Sequence, residues 1–436
     1  MKSCNVYTKQ QRIAELAKQL PEVSFTSLAY HIDLEWLKEA YRQTRKDAAV
    51  GVDGMATHEY EKELEVRLQS LLERFKSGTY RAQPVRRVYI PKGSSAKELR
   101  PLGIPVLEDK ILERAVKMVM EPLYEQDFLD CSHGFRPGRS VHKALDMLWK
   151  EAMGMRGCWV LEVDIRKFYD TMKHEHLRAF LKRRVCDGVI VRTVGKWLKA
   201  GVMEEGAVHY DEEGSPQGRV ISPLLSNLYL HYVLDEWVTR EIIPRLNHKA
   251  SLVRFADDAV LLFADQHEAE VVKNVLVKRF ARYGLELHPE KTRLVKFTMP
   301  PLKGQCGSGS FDFLGFTHYW GKSRRGLWVI KRKTSGKKFR AAVKRVNQWC
   351  KENRHMPIKE QHKSLCVKLR GHYNFYGVTC NIRSLNRFKE CVQSGWRKWL
   401  NRRKRPKGRG RMTYDRFNKL LNRYMLPAPY IAHTYA

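Results

Sequence analysis

Three aspartates placed at the ends of apolar runs constrain this chain most. Cys158–Ile165 (CWVLEVDI) is an apolar run that closes on Asp164, and Ser251–Phe263 reads as two apolar strands separated by Phe255-Ala256-Asp257-Asp258. Side chains alternate across a strand, so Asp257 and Asp258 share a face only if the backbone turns between them, as at a hairpin tip. Hard carboxylate oxygens of this kind suit Mg²⁺. Two such ions about 3.5–4 Å apart activate an attacking hydroxyl and stabilise a departing phosphate oxygen, which is phosphoryl-transfer chemistry. Taken alone, an Asp-Asp pair is better read as a solvated acidic turn, so the surrounding sequence has to decide.

Apolar spacing predicts helices over Tyr30–Arg45 and His58–Phe75, broken at Gly51-Val52-Asp53-Gly54. Val85–Pro91 (VRRVYIP) alternates apolar and basic residues as a strand with a cationic face does, and a second extended piece ends at Pro105. Helices are expected over Asp109–Tyr124, stopped near Pro122, and over Ser140–Met153 and His174–Val185. A loop at Gly214–Gly218 should open a long helix through Val238. The helix Glu268–Tyr283 and the strand Arg293–Phe297 complete an order β, α, β, β, α, β. Pro300, Pro301, Gly304, Gly307 and Gly309 then mark a boundary before strands near Phe311–Thr317 and Gly326–Lys331. Beyond these the pattern is helical and basic, with an exposed, mobile segment expected at Arg402–Arg411.

Among 436 residues, 81 Lys and Arg stand against 47 Asp and Glu, a net charge of +34. Such an excess calls for a polyanionic partner, nucleic acid first. The 43% of hydrophobic residues supply real cores, which excludes a disordered basic tail. No apolar stretch approaches membrane-spanning length, and the N-terminus lacks a secretory pattern. Nine cysteines with no CxxC pair read as reduced structural thiols in a cytoplasmic protein. From Lys322 to Arg345 there is no acid at all, and Trp349, Trp396 and Trp399 follow as surfaces for stacking bases.

The ordered set DIRKFYD (164–170), SPQGRVISPLLSNLYLHYVLD (215–235), RFADD (254–258), HPEKT (288–292) and FDFLGF (311–316) resembles motifs A to E of reverse transcriptases. Upstream, VRRVYIPK, RPLGIPVLEDKILERAV and SHGFRPGRSVHKAL resemble the group II intron-encoded reverse transcriptases, or maturases. Downstream, LRGHYNFYGV and LPAPYIAHTYA resemble that family's thumb and domain X. The resemblance covers about residues 30–436.

It implies an α+β, right-hand polymerase of fingers and palm, followed by a mainly helical thumb and maturase domain X. Residues 1–110 would be the N-terminal extension and fingers, 111–300 the fingers and palm core, 301–400 the primer grip, thumb and start of domain X, and 401–436 the rest of domain X. The implied activity is RNA-directed DNA synthesis with two Mg²⁺ ions held by Asp164, Asp257, Asp258 and the carbonyl of Ile165. Phe168 matches the aromatic that rejects a 2′-hydroxyl and favours dNTPs. Lys92 and Arg100 would hold the triphosphate, while Gln217 and Gly218 would contact the incoming nucleotide and template. Lys291 matches a lysine proposed to protonate the leaving pyrophosphate. Phe313, Leu314 and Gly315 match the primer grip.

Two positions depart from the family pattern. The usual Tyr before the paired aspartates is Phe255, and the usual Gly after PQG is Arg219, a cation that either touches a phosphate or narrows the nucleotide pocket. Lys331, Arg332, Lys333, Lys337 and Lys338 are expected to bind RNA. The partners implied are a group II intron RNA whose splicing and retromobility the protein promotes, an RNA template, a DNA primer, dNTPs and target DNA, with no membrane. Family members often end in an HNH endonuclease rich in Cys and His. No such cluster precedes Ala436, so mobility is expected to use DNA that already offers a primer. Two alternatives stand beside this reading: a splicing cofactor with weak polymerase activity, and a related reverse transcriptase recruited to DNA repair or phage defence.

Overall fold

The computed structural model describes residues 2–91, 99–204, 207–210, 214, 218–300, 309–403 and 412–434. Lys92 and Gln217 lie outside them, as does most of the Arg402–Arg411 segment. The chain divides into two compact units. One comprises Met1–Pro91, Lys97–Ala144 and Leu161–Leu294; the other comprises Lys92–Ala96, Leu145–Val160 and Val295–Ala436.

The first unit opens with helices α1 (Lys2–Gln19), α2 (Leu34–Gln43), α3 (Thr57–Glu61) and α4 (Leu64–Ser77). The alternating segment forms β1 (Val85–Pro91), antiparallel to β2 (Leu99–Ile104). The next helix, α5 (Leu107–Asp127), does not stop at Pro122 as expected but runs through it. Proline has no N–H for the carbonyl four residues back, here Met118. The Gln10 side chain of α1 donates to that Met118 carbonyl at 2.9 Å, so α1 supplies the bond that Pro122 cannot.

Helix α6 (Val141–Gly154) leads to β3 (Gly157–Val163), the short helix α7 (Phe168–Thr171), then α8 (His174–Lys182) and α9 (Gly188–Leu198). A hairpin that the pattern did not show, β4 (Val202–Glu204) and β5 (Ala207–His209), extends the first sheet to the order β2-β1-β4-β5. Helix α10 (Ser222–Leu230) continues as two π-helical stretches, His231–Asp235, which is buried throughout, and Trp237–Ile242, which emerges to the surface after Val238. The hairpin β6 (Ala250–Phe255) and β7 (Asp258–Phe263), helix α11 (Gln266–Arg282) and strand β8 (Arg293–Thr298) complete a second sheet of order β6-β7-β3-β8. Its core residues Val160, Leu161, Leu252, Val253, Val260 and Leu261 are all at most 2% exposed.

The second unit carries a three-stranded sheet of β9 (Ser310–Phe313), β10 (Phe316–Lys322) and β11 (Trp328–Thr334). Phe313 pairs with Phe316 across a two-residue loop in which Leu314 (φ 49) and Gly315 (φ 87) are both left-handed, the signature of a tight hairpin turn. Helices α12 (Gly336–Glu352), α13 (Ile358–Tyr376), α14 (Ile382–Leu400) and α15 (Tyr414–Arg423) pack around a core that includes Trp396 and Trp399. Trp396 is fully buried and donates to the Gln361 side chain at 2.8 Å. These two tryptophans are therefore core residues and not the base-stacking surfaces expected of them.

Candidate functional site

Strand β3 delivers Asp164 one residue past its last pairing position, and β7, its neighbour in the sheet, begins at Asp258. Phe255 pairs with Asp258, so Ala256 and Asp257 form a two-residue hairpin loop, with Ala256 at φ 55. Asp164 and Asp257 are half-buried and Asp258 is exposed. Tyr169, in α7, lies within electrostatic reach of Asp257 and Arg100. Burial pushes its hydroxyl up, Asp257 adds to that rise, and Ser226 of α10 and Arg100 of β2 oppose it. Arg100 and Asp257 thus act on one phenol that the sequence reading did not single out.

The chain after β3 is stitched to the segment before β8. His288 N–H donates to the Asp164 carbonyl at 2.8 Å and Arg166 N–H to the Glu286 carbonyl at 2.8 Å, flanking an antiparallel bridge between Ile165 and Leu287. In that pattern Ile165 is the non-hydrogen-bonded residue, so its own carbonyl points away from Leu287, as a metal-binding carbonyl must. Lys291 Nζ lies 3.3 and 3.4 Å from the two Asp164 carboxylate oxygens.

Among the described residues, one set of three ligating side chains brings its donor atoms within 4.8 Å of one another: His248, Asp265 and Glu268. The carboxylates of Asp164, Asp257 and Asp258, expected to converge on shared ions, do not form such a set, and the Asp164 carboxylate is instead drawn to Lys291. The His248 group sits at the far end of the β6–β7 hairpin, some six strand residues or about 20 Å from the aspartate tip. Protein partners hold most of it: Asp265 caps α11 through Glu268 N–H at 2.9 Å, and Glu268 Oε1 accepts from Asn247 N–H at 2.7 Å, while Glu268 Oε2 is buried without a hydrogen-bond partner.

A buried lattice fixes the hairpin tip. Arg254, fully buried, donates to both Asp235 oxygens at 2.6 and 2.5 Å, to Ser132 Oγ at 2.7 Å, to Asn227 Oδ1 at 3.1 Å and to the Ala256 carbonyl at 2.9 Å. Asn227 in turn donates to the Gly134 carbonyl at 2.7 Å. A Cβ at Gly134 would lie 2.2 Å from Ala256 N, so only glycine lets the two backbones meet. None of Arg254, Asp235, Ser132, Asn227 and Gly134 was singled out from sequence. The available signal was a charged residue inside an apolar strand, which demands a buried partner.

Arg219 is turned into the interior and held by carboxylates of α5. Its guanidinium is buried on α5, 2.6 Å from Glu113 and 3.4 Å from Asp109. Gly218, at φ 115, approaches the Gly103 carbonyl of β2, which a Cβ would meet at 2.5 Å. Glu113 also accepts from Val220 N–H at 2.6 Å, and Tyr80 donates to Asp109 at 2.5 Å. Burial pushes the Asp109 carboxyl up to about 7, with Arg219 opposing and Glu113 adding to the rise. Between the ordinary carboxylate range and pH 7 the folded chain therefore holds a proton that the unfolded chain has released, so this group's stabilisation is present at low pH and is lost as pH rises through 7. Urea midpoints at pH 5 and pH 8 should fall further for the native protein than for Asp109→Asn; equal falls would contradict the assignment.

Phe168 is buried, edge-to-face with Tyr229 at 6.3 Å between ring centres. Phe313 is buried, and Leu314 and Gly315 are half-buried in the second unit. Lys333, Lys337 and Lys338 are exposed and Lys331 is half-buried. Arg332 is 3% exposed, on the inner face of β11 beside His318, because strand alternation sends it opposite to Lys331 and Lys333. It is a correction to the expected RNA face. Burial pushes the Cys158 and Cys350 thiols up to about 12, which keeps them protonated and structural.

A family profile described as reverse transcriptase (RNA-dependent DNA polymerase) matches residues 90–318, more than half of the chain. The chain belongs to the reverse transcriptase family. This reverse transcriptase is 38% identical over 285 residues to Protein YkfC of Escherichia coli, covering 58% of the chain and 74% of that relative. It is 36% identical over 231 residues to the group II intron-encoded protein LtrA of Lactococcus lactis, covering 52% and 38%. An uncharacterized 91 kDa protein in the cob intron of Schizosaccharomyces pombe is 31% identical over 257 residues, covering 58% and 31%. Within the family the chain falls in the group II intron reverse transcriptase and maturase branch, and it is an enzyme, an RNA-directed DNA polymerase. No described helix of this reverse transcriptase is long and apolar enough to cross a membrane.

Proposed function

We propose that this reverse transcriptase copies RNA into DNA at the aspartate tip and binds a group II intron RNA to promote its splicing and retromobility. The observation that supports the polymerase reading best is the adjacency of β3 and β7. It brings the chain end bearing Asp164 next to the strand that starts at Asp258, within the segment that matches the family.

The donor set fits Mg²⁺: three carboxylates and the outward carbonyl of Ile165, all hard oxygens. Bound there, two ions would activate the primer hydroxyl and stabilise the leaving oxygen. Arg100, with Lys92, binds the triphosphate. Phe168, backed by Tyr229, walls off a 2′-hydroxyl. Gln217 and Gly218 position nucleotide and template. Lys291 keeps a proton at Nζ beside Asp164 for the departing pyrophosphate. The turn at Phe313, Leu314 and Gly315 holds the primer end, while Lys331, Lys333, Lys337 and Lys338 grip intron RNA. In this reading the first unit holds fingers and palm, and the second holds thumb and domain X.

Purified protein supplied with an RNA template, an annealed DNA primer, dNTPs and Mg²⁺ should extend the primer, and EDTA should stop it. Failure to extend across a range of Mg²⁺ and Mn²⁺ concentrations would overturn the polymerase site.

A further inference from the structure

A cavity of about 820 Å³ opens in the first unit between the end of α4, the chain leading into β1, and helices α8 and α9. Six cations line it, namely Arg81, Arg178, Lys182, Arg192, Lys196 and Lys199, and no carboxylate does. Arg178 and Lys182 are one helical turn apart on α8, and Arg192, Lys196 and Lys199 follow at helical spacing along and just past α9, so two basic stripes face one hollow. Lys196 is held in place, donating to the carbonyls of Gly78 at 2.6 Å and Tyr80 at 2.7 Å. Arg178 lies over Gly195, whose absent Cβ leaves it room at 3.4 Å. Tyr210, 71% exposed, stands at the rim.

Concentrating six like charges without a counter-charge opposes folding, since the repulsion is relieved only by an anion. One phosphate engages two or three cations, so six call for several phosphates on one chain. A concave hollow of this size admits a single strand and not the rigid face of a duplex, and a largely exposed aromatic ring at its edge suits an unpaired base. We propose that this pocket binds the phosphate backbone of single-stranded RNA, with a base stacked on Tyr210. None of its cations is among the residues assigned above to nucleotide, primer or intron RNA, so it is a second nucleic-acid site in the palm-bearing unit.

The test is a matched pair of triple variants of the full chain. One carries Lys182→Gln, Arg192→Gln and Lys199→Gln; the other carries Lys273→Gln, Lys278→Gln and Arg282→Gln on α11, losing the same charge outside the cavity. With a labelled uridine homopolymer as probe, the pocket variant should bind at least about tenfold more weakly. Its plot of log affinity against log salt should flatten by about 2, at roughly 0.7 per lost phosphate contact. The α11 variant should stay near the native slope. A hairpin RNA duplex should discriminate little between the two variants. Equal weakening of both on the homopolymer, or a loss on the duplex as large as on the single strand, would overturn the proposal. Lys199→Glu alone gives an independent reading, with the same direction expected and an unchanged affinity counting against it. Primer extension on a short annealed template should be retained in the pocket variant, so failure here and failure of the polymerase site are separate results.

Discussion

Asp257→Ala should reduce primer extension on an RNA template by at least about 10³-fold, equivalent to roughly 4 kcal/mol of lost transition-state stabilisation, the scale expected for a metal-holding carboxylate. RNA affinity should stay within about twofold of native, because removing one acid from a chain of net charge +34 does not weaken its field. The fold should not suffer. Asp257 is half-buried in a two-residue loop beside Asp258, and removing it eases repulsion between neighbouring carboxylates. Urea melting at native stability together with lost extension would assign the defect to chemistry; extension within tenfold of native would remove Asp257 from the site.

Arg254→Met should cost about 3–5 kcal/mol of stability, because it strands the Asp235 carboxylate, itself fully buried, without its partner. Pairing it with Asp235→Leu should restore much of that stability, since an apolar pair of similar volume is often tolerated where a half-broken ion pair is not. Extension should stay low even in the stable double variant, because the Ala256 carbonyl still lacks the guanidinium that fixes the hairpin loop. A double variant that regains both stability and full extension would mean that Arg254 acts on folding alone. A single variant as stable as native would dismiss the buried pair as a structural element.

Strands and their acids were legible because β periodicity is short and local: β1 and the β6–β7 hairpin lie within a residue of the positions that alternation and turn chemistry predict. What failed depended on partners distant in sequence. Arg219 takes its meaning from Asp109 and Glu113, more than a hundred residues earlier, and nothing near it announces them. Pro122 is tolerated because of Gln10, and no local pattern links the two. Other positions do carry a local signal. Phe388, Val392, Trp396 and Trp399 recur at helical spacing, which is the mark of a buried stripe. Arg332 falls in step with Ile330 and Thr334, both buried, on the inward face of its strand.

The seclusion of the Arg254–Asp235 pair has a practical corollary. Dissolved ions weaken contacts at the surface and hardly reach a pair with no solvent exposure. Concentrated salt should therefore detach nucleic acid from this enzyme well before it disturbs the acidic loop, so that activity lost in brine returns on dilution, as dissociation would and denaturation would not.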